Sequence, residues 1–95
     1  MAELKAATGA DAALDQAIAE AFQAPPADYT ESVERCRALV VSVLPGWHLH
    51  LGYGVSGILP YAELSNGDQR HVAEAPTVPL AVLRALVASR ENDTV

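Results

Sequence analysis

The feature that most constrains the fold is a change of hydrophobic period at the Pro45-Gly46 pair. Before the pair, apolar residues recur at the 3.6-residue spacing of a helix. A glycine after the last turn, with a proline that cannot continue it, is typical of a helix end. After the pair, the alternation predicts a strand with one apolar face. The apolar set is Trp47, Leu49, Leu51 and Tyr53, and it alternates with His48, His50, Gly52 and Gly54.

Two further strands are predicted, over residues 58–64 and 69–75. Asn66-Gly67 between them is typical of a tight hairpin turn, because both residues tolerate a positive φ. Pro60 lies within the second strand, which is the central strand of a simple meander. Because proline cannot donate to a ladder, either this strand begins at Pro60 or the ladder is broken there.

Two helices are predicted before the strands. Thr8 and Asp11 resemble a capping box, which predicts a helix over 8–22. Residues 23–28 then form a linker that contains two prolines, and prolines end a helix. A second helix is expected over 30–44, where apolar residues again recur at helical spacing.

The last helix completes the fold. Thr77 caps it, and it extends to about Ser89, apolar on nearly all sides, so it lies at the centre of the fold or in an oligomer contact. The expected fold class is α+β, an α-β-α sandwich of order α-α-β-β-β-α with a three-stranded antiparallel sheet. It is a single domain over 1–95, with 1–9 and 90–95 frayed. Polar residues on the strands indicate that one sheet face is only partly covered.

Charge is segregated along the chain, whose formal net charge is −6. Residues 1–34 contain seven acids and one base, and residues 35–95 contain five of each. Direct nucleic-acid binding is not expected, because it needs clustered Lys and Arg. An acidic surface suits a basic partner or plain solubility. The candidate partner-binding residues are Asp11, Asp15, Glu20, Asp28, Glu31 and Arg84, the last through its long cationic side chain.

Composition indicates a cytoplasmic protein. No stretch of about 18 uninterrupted apolar residues predicts a membrane span, and the N-terminal residues do not have the pattern of a secretory signal. The single cysteine, Cys36, excludes an internal disulfide, which fits a reducing compartment. Cys36 lies in the apolar stripe of the second predicted helix, so we expect a buried and unreactive thiol.

Motifs that carry chemistry are few, and no cofactor is expected. The alternative metal ligands are His48, His50 and His71, with Glu63 or Glu74 as a further carboxylate. A zinc site needs three or four such ligands. The competing interpretation is a half-exposed sheet face on which the histidine rings pack. The glycine spacing over 52–57 matches a dinucleotide-binding loop, but no helix follows it, so the required context is missing.

Several local patterns together resemble one known family. Tyr29-Thr30 starts a helix, Gly46-Trp47 opens the first strand, and Asn66-Gly67 forms the turn between the second and third strands. The stretch His71–Leu86 then runs from a strand ending in Ala-Glu-Ala, through Thr-x-Pro-Leu-Ala, into an apolar helix. Over roughly residues 12–88 the chain resembles the phage ABA sandwich domain, a family of small phage and prophage proteins. The resemblance implies a three-layer fold and no agreed activity or catalytic residues.

Three functions are compatible with these observations. The first is a non-enzymatic phage- or prophage-type protein that binds another protein. In its sharper form it is an acidic inhibitor of a host nucleic-acid-binding defence, as anti-CRISPR proteins are, and acts in the host cytoplasm. The second is a small metal-binding or metal-dependent protein that uses the three histidines. The third is a structural module that homodimerises through the last helix, Leu80–Val87.

Overall fold

The computed structural model describes residues 2–54 and 57–93. Its elements in chain order are α1 (Ala2–Ala6), α2 (Ala12–Ala21), α3 (Val33–Val43), β1 (His48–Tyr53), β2 (Pro60–Asn66), β3 (Gln69–Glu74) and α4 (Val78–Asp93). The predicted α+β class, with an antiparallel three-stranded sheet followed by a helix, is confirmed. Among the described helices, none has both the length and the apolar character needed to cross a membrane.

The sheet is a meander in which β2 lies between β1 and β3. Asn66 pairs with Gln69, which leaves a two-residue turn of Gly67 and Asp68. Gly67 has a φ of 61°, as a type II′ turn requires at its first central position. The predicted hairpin is therefore confirmed, but its turn lies one residue later, because Asn66 still belongs to the ladder.

Pro60 is the first residue of β2, so this strand begins two residues later than predicted. Its carbonyl accepts a hydrogen bond from the Ala75 N–H at 3.2 Å. A strand residue directs its N–H and C=O toward the same neighbouring strand. The missing donor therefore removes one bond at the end of the β2–β3 ladder and leaves the rest intact. This position explains how a central strand tolerates proline.

Helix α4 is the centre of the fold. It packs against β2 and β3, and α3 and α1 pack against it in turn. Its fully buried apolar side chains are Leu80, Ala81, Val82, Leu83, Ala85 and Leu86. Thr77 caps it as predicted, since Oγ1 accepts the Leu80 N–H. The apolar pattern that predicted a homodimer through Leu80–Val87 is thus explained by burial within one chain.

Both ends of the described chain contain more helix than the sequence predicts. Residues 2–6 form α1 where fraying is expected, because Leu4 is only 1% exposed and packs into the core. Helix α4 likewise continues through residues 90–93. Residues 94 and 95, also predicted to fray, lie outside the described residues.

Two helices begin later than predicted, and each has its own cap. Helix α2 starts after Asp11, whose carboxylate accepts the Leu14 N–H at 3.0 Å. The predicted capping box from Thr8 is therefore wrong, and Asp11 is itself the N-cap. Helix α3 starts after Ser32, whose hydroxyl caps it. Thr30, the predicted start of α3, is instead buried in the preceding turn.

The two faces of the sheet have different surroundings. Residues that pair across antiparallel strands share a face. The core face, which packs on α4, carries Leu49, Leu51, Ala62, Leu64, His71 and Ala73. The opposite face, here called the open face, carries His48, His50, Tyr61, Glu63, Arg70, Val72 and Glu74. Because the side chains of the open face are half-buried or exposed, the sheet forms an outer layer with α4 beneath it.

Candidate functional site

A shallow groove of about 390 Å³ crosses one end of the open face. It is lined by Tyr53, Gly54, Tyr61, Glu63, Val72 and Glu74, two residues from or beside each strand. The register places Tyr61 opposite Glu74 and Glu63 opposite Val72. The groove therefore combines aromatic and aliphatic surface with two carboxylates on a hydrogen-bonded sheet.

Two glycines of the β1 region make room for the groove. Gly52 pairs with Tyr61, and a Cβ at this position would lie 2.9 Å from Cε1 of the Tyr61 ring. A Cβ at Gly54 would collide with the Glu74 carboxylate. The ring and the carboxylate therefore both reach across toward the β1 backbone. The glycine spacing that resembles a dinucleotide loop thus has a packing reason here, and Gly57 has a φ of 72° in the β1–β2 connection.

The two carboxylates of the groove differ in their partners. Glu63 lies 3.6 Å from Arg70 Nε, and only 25% of its side chain is exposed. Glu74 is exposed, and its carboxylate forms no ion pair or hydrogen bond with another described residue. The Glu74 carboxylate is therefore available to a cation from outside the protein.

Two of the exposed large apolar side chains in the described structure line this groove. Tyr53 is 70% exposed and Val72 53%, and the Leu59 carbonyl accepts the N–H of Gly54, which also lines the groove. Exposed apolar side chains that occur singly are ordinary, but a group of them next to polar residues is typical of an interaction surface. This end of the open face is thus the best candidate for binding.

Sequence reasoning does not assign this groove. It suggests Glu63 and Glu74 only as additional metal ligands, and it gives no role to Tyr61 or Val72. The signal that could find the groove is the alternation along β2 combined with the hairpin register. Together they place the pairs Tyr61–Glu74 and Glu63–Val72 on one face of the sheet.

The predicted three-histidine metal site is not formed. His48 and His50 lie on the open face, whereas His71 lies on the core face. His71 stacks on Trp47 with ring centroids 5.8 Å apart, and His50 packs against Tyr61 at the same distance. In the described part of the chain, no group of three or more His, Cys, Asp or Glu side chains is placed to hold a metal ion. The competing interpretation, ring packing on the sheet, accounts for His50 and His71.

Two of the candidate partner-binding acids form bonds that hold the fold together. Besides capping α2, Asp11 donates its backbone N–H to Thr30 Oγ1 at 2.8 Å. Asp15 Oδ1 accepts the Thr30 N–H at 2.7 Å. Because Thr30 is buried, these bonds satisfy polar groups that water does not reach. They fasten α2 to the turn before α3.

The other three acids remain on the surface. Glu20, Asp28 and Glu31 are all exposed. Asp28 lies 4.0 Å from Arg35, but more than half of each side chain is exposed, so this pair contributes little to stability. Glu20 and Asp15 line a second open cavity, of about 460 Å³, between α2 and the linker. Glu20 also accepts a hydrogen bond from Gln16 at 3.3 Å, in an exposed position. Three of the five acids are thus on the surface, where a partner can reach them.

Arg84 bonds to the backbone of its own chain. Its guanidinium donates to the carbonyls of Leu4, Lys5, Ala7 and Glu74, at 2.8–3.3 Å. The last carbonyls of a helix have no partner within the helix, so a cation there supplies hydrogen bonds and favourable charge. Arg90 acts similarly on α2, donating to the Ala21 carbonyl and lying 4.8 Å from the Phe22 ring centroid. Both arginines of α4 therefore secure the end of an N-terminal helix.

The prediction of a buried thiol is confirmed. Cys36 is fully buried, and its Sγ donates to the Tyr29 carbonyl at 3.0 Å. Burial raises the pKa of Cys36 to about 12, and the negative charges of Asp15 and Asp28 add to this effect. A thiol that stays protonated is a poor nucleophile.

No known protein family, curated protein or solved structure matches the chain. The resemblance to the phage ABA sandwich domain therefore remains a prediction.

Proposed function

We propose that the protein acts by binding another protein and catalyses no reaction of its own. The observation that carries this proposal is the groove of the open face. There Tyr53 and Val72 expose apolar surface beside the carboxylates of Glu63 and Glu74. Covering such a patch removes apolar surface from water, which favours association. The groove lies on hydrogen-bonded strands, so little conformational freedom is lost on binding.

The expected partner is a basic protein. The chain has a net charge of −6, and Glu20, Asp28 and Glu31 are exposed. Opposite charge accelerates encounter and orients the two proteins. In its narrower form, the proposal is a phage- or prophage-encoded protein that works in the host cytoplasm. It would occupy the basic nucleic-acid groove of a host defence protein, as anti-CRISPR proteins do, and the segregated acidic charge supports this form.

The test begins with the immobilised full chain in a bacterial lysate at low salt and at raised salt. We expect a basic nucleic-acid-binding protein to be retained at low salt and released as salt screens the charges. After purification, the retained protein should lose its DNA or RNA when this chain is added. Failure to retain any basic protein at low salt would contradict the charge-driven form.

A pair of matched variants isolates the contribution of charge. The first carries Glu20→Gln, Asp28→Asn and Glu31→Gln, and the second carries Glu20→Asp, Asp28→Glu and Glu31→Asp. All three side chains are exposed, so both variants should fold. We expect weaker retention only for the neutral variant. Equal retention by the two variants would show that these acids do not attract the partner.

A further inference from the structure

We propose that the groove of the open face binds an arginine side chain of a basic partner protein. This inference rests on the proposed function and names the chemistry that one part of the surface recognises. It begins from Glu74, an exposed carboxylate without a partner among the described residues. Tyr61 pairs with Glu74 on the neighbouring strand and lines the same groove.

The groove offers the two surfaces that a guanidinium group prefers. A guanidinium is planar, so it can stack on an aromatic ring while its N–H groups form paired bonds to a carboxylate. Tyr61 reaches across Gly52 on the open face, where it is half-buried and its ring also packs against His50. The Glu74 carboxylate reaches toward the same strand beside Gly54. The ring and the carboxylate thus both lie over the end of β1, in the lining of the same groove.

The rest of the groove fits the remainder of an arginine side chain. Val72 and Tyr53 are both more than half exposed, and their apolar surface suits the three methylene groups of the arginine. Glu63 adds a second negative charge, although Arg70 already lies 3.6 Å from it. That internal pair shows that the open face already accommodates a guanidinium beside a carboxylate. Phosphate and carboxylate ligands are disfavoured, because both charged groups of the groove lining are acidic.

The direct test is a titration followed by nitrogen–proton NMR of the intact chain. The probe is an acetylated and amidated nine-residue peptide in which three arginines alternate with valine and serine. Two matched peptides replace arginine by lysine or by citrulline, which is neutral and nearly isosteric. We expect saturable shifts at Gly52, Tyr61, Val72 and Glu74 with the arginine peptide. The lysine peptide should bind more weakly, and the citrulline peptide should bind weakest.

Two variants assign the binding to the groove. Glu74→Gln removes the charge of the carboxylate. It is expected to lower the affinity for the arginine peptide about tenfold, as loss of a charged hydrogen-bond partner usually does. Glu34→Gln, on an exposed position of α3, is the control and should bind as the original chain does. The same NMR spectra show whether each variant is folded. The inference is overturned if the citrulline peptide binds as tightly as the arginine peptide, or if the shifts lie on other elements. It is also overturned if Glu74→Gln and Glu34→Gln bind the arginine peptide with equal affinity.

The outcomes separate this inference from the proposed function. If a partner is captured from lysate equally by the original chain and by Glu74→Gln, the groove does not recognise arginine there and this inference fails, while protein binding stands. If the arginine peptide binds the groove and Glu74→Gln weakens it, but no lysate protein is retained, the groove chemistry stands and the proposed function fails.

Discussion

The two faces of this sheet are built from the same three strands and have opposite surroundings. On the core face, Ala62 and Leu64 are fully buried against α4. The residues that alternate with them along the same strand, Tyr61 and Glu63, face the groove and remain partly exposed. Neighbouring residues of β2 therefore serve different purposes: one set stabilises the domain, and the other set is available to a partner. Substitutions on the two faces should separate stability from binding.

The largest expected effect comes from a cavity in the core face. Leu64→Ala should lower the free energy of unfolding by about 2–5 kcal/mol, because the side chain is fully buried and its neighbours cannot fill the space. Val72→Ala on the open face should cost less than about 1 kcal/mol. Urea denaturation of both variants measures the difference. Similar losses would show that the open face is also covered.

Arginine-to-lysine changes at Arg84 of α4, beneath the sheet, and at Arg70 of the open face provide a matched pair. Arg84→Lys should cost about 2 kcal/mol, because lysine cannot supply the planar set of donors that bonds four backbone carbonyls. Arg70→Lys, in which the exposed arginine side chain pairs with a mostly covered Glu63 at 3.6 Å, should cost less than about 1 kcal/mol, because lysine keeps the charge. Denaturation midpoints at equal protein concentration give the comparison. A stable Arg84→Lys variant would contradict the role assigned to the guanidinium.

Alkaline pH should lower the free energy of unfolding through Cys36, which is buried on the core side of the molecule. The pKa of its thiol rises from 9.0 to about 12 on folding, so between these values the unfolded chain loses a proton that the folded chain keeps. The thiol therefore lowers the free energy of unfolding by about 1.4 kcal/mol per pH unit in that window, and contributes no pH dependence below it. Urea denaturation at pH 8, 9 and 10 should show a steeper decline for the original chain than for Cys36→Ala. Parallel declines would contradict this assignment.

The smallest expected differences lie at the two glycines under the groove. Gly52→Ala places a methyl group against the Tyr61 ring and should cost about 1 kcal/mol, since the ring must shift. Gly54→Ala meets only the end of the Glu74 side chain among its closest contacts, which can swing aside, so its cost should be below about 0.5 kcal/mol. Thermal melts of the two variants resolve this order. A reversed order would mean that the carboxylate of Glu74 is held more firmly than the ring of Tyr61.

Local patterns in the sequence were sufficient to predict most of the fold. The alternation from Trp47 gives β1 and places Leu49 and Leu51 on its core face, the Asn-Gly pair gives the β2–β3 hairpin, and Thr77 marks the start of α4. Tyr53, predicted to share the apolar face, is instead 70% exposed at the end of the strand. Each of these signals depends on residues that are close together in the chain. The predicted burial of Cys36 succeeded for the same reason, since helical spacing places it on the apolar side of α3.

Contacts between distant segments could not be predicted in this way. The face occupied by His71 depends on the register of β3, whose sequence has Val72 on one face and Ala73 on the other, so its hydrophobic pattern does not decide. The acceptors of Arg84 are backbone carbonyls, which carry no signature in the sequence. The groove likewise depends on Tyr61 and Glu74 being opposite each other, and this follows from pairing rather than from composition.

The bonds between Arg84 and α1 also have a consequence for the order of folding. The bond from Arg84 Nε to the Leu4 carbonyl joins residues that are 80 positions apart. Closing so long a loop is entropically costly until the intervening hairpin and α4 have formed. We therefore expect α1 to dock last during folding. In the folded protein, its amide hydrogens should exchange with solvent before those of β2, because the segment that docks last is also the first to detach.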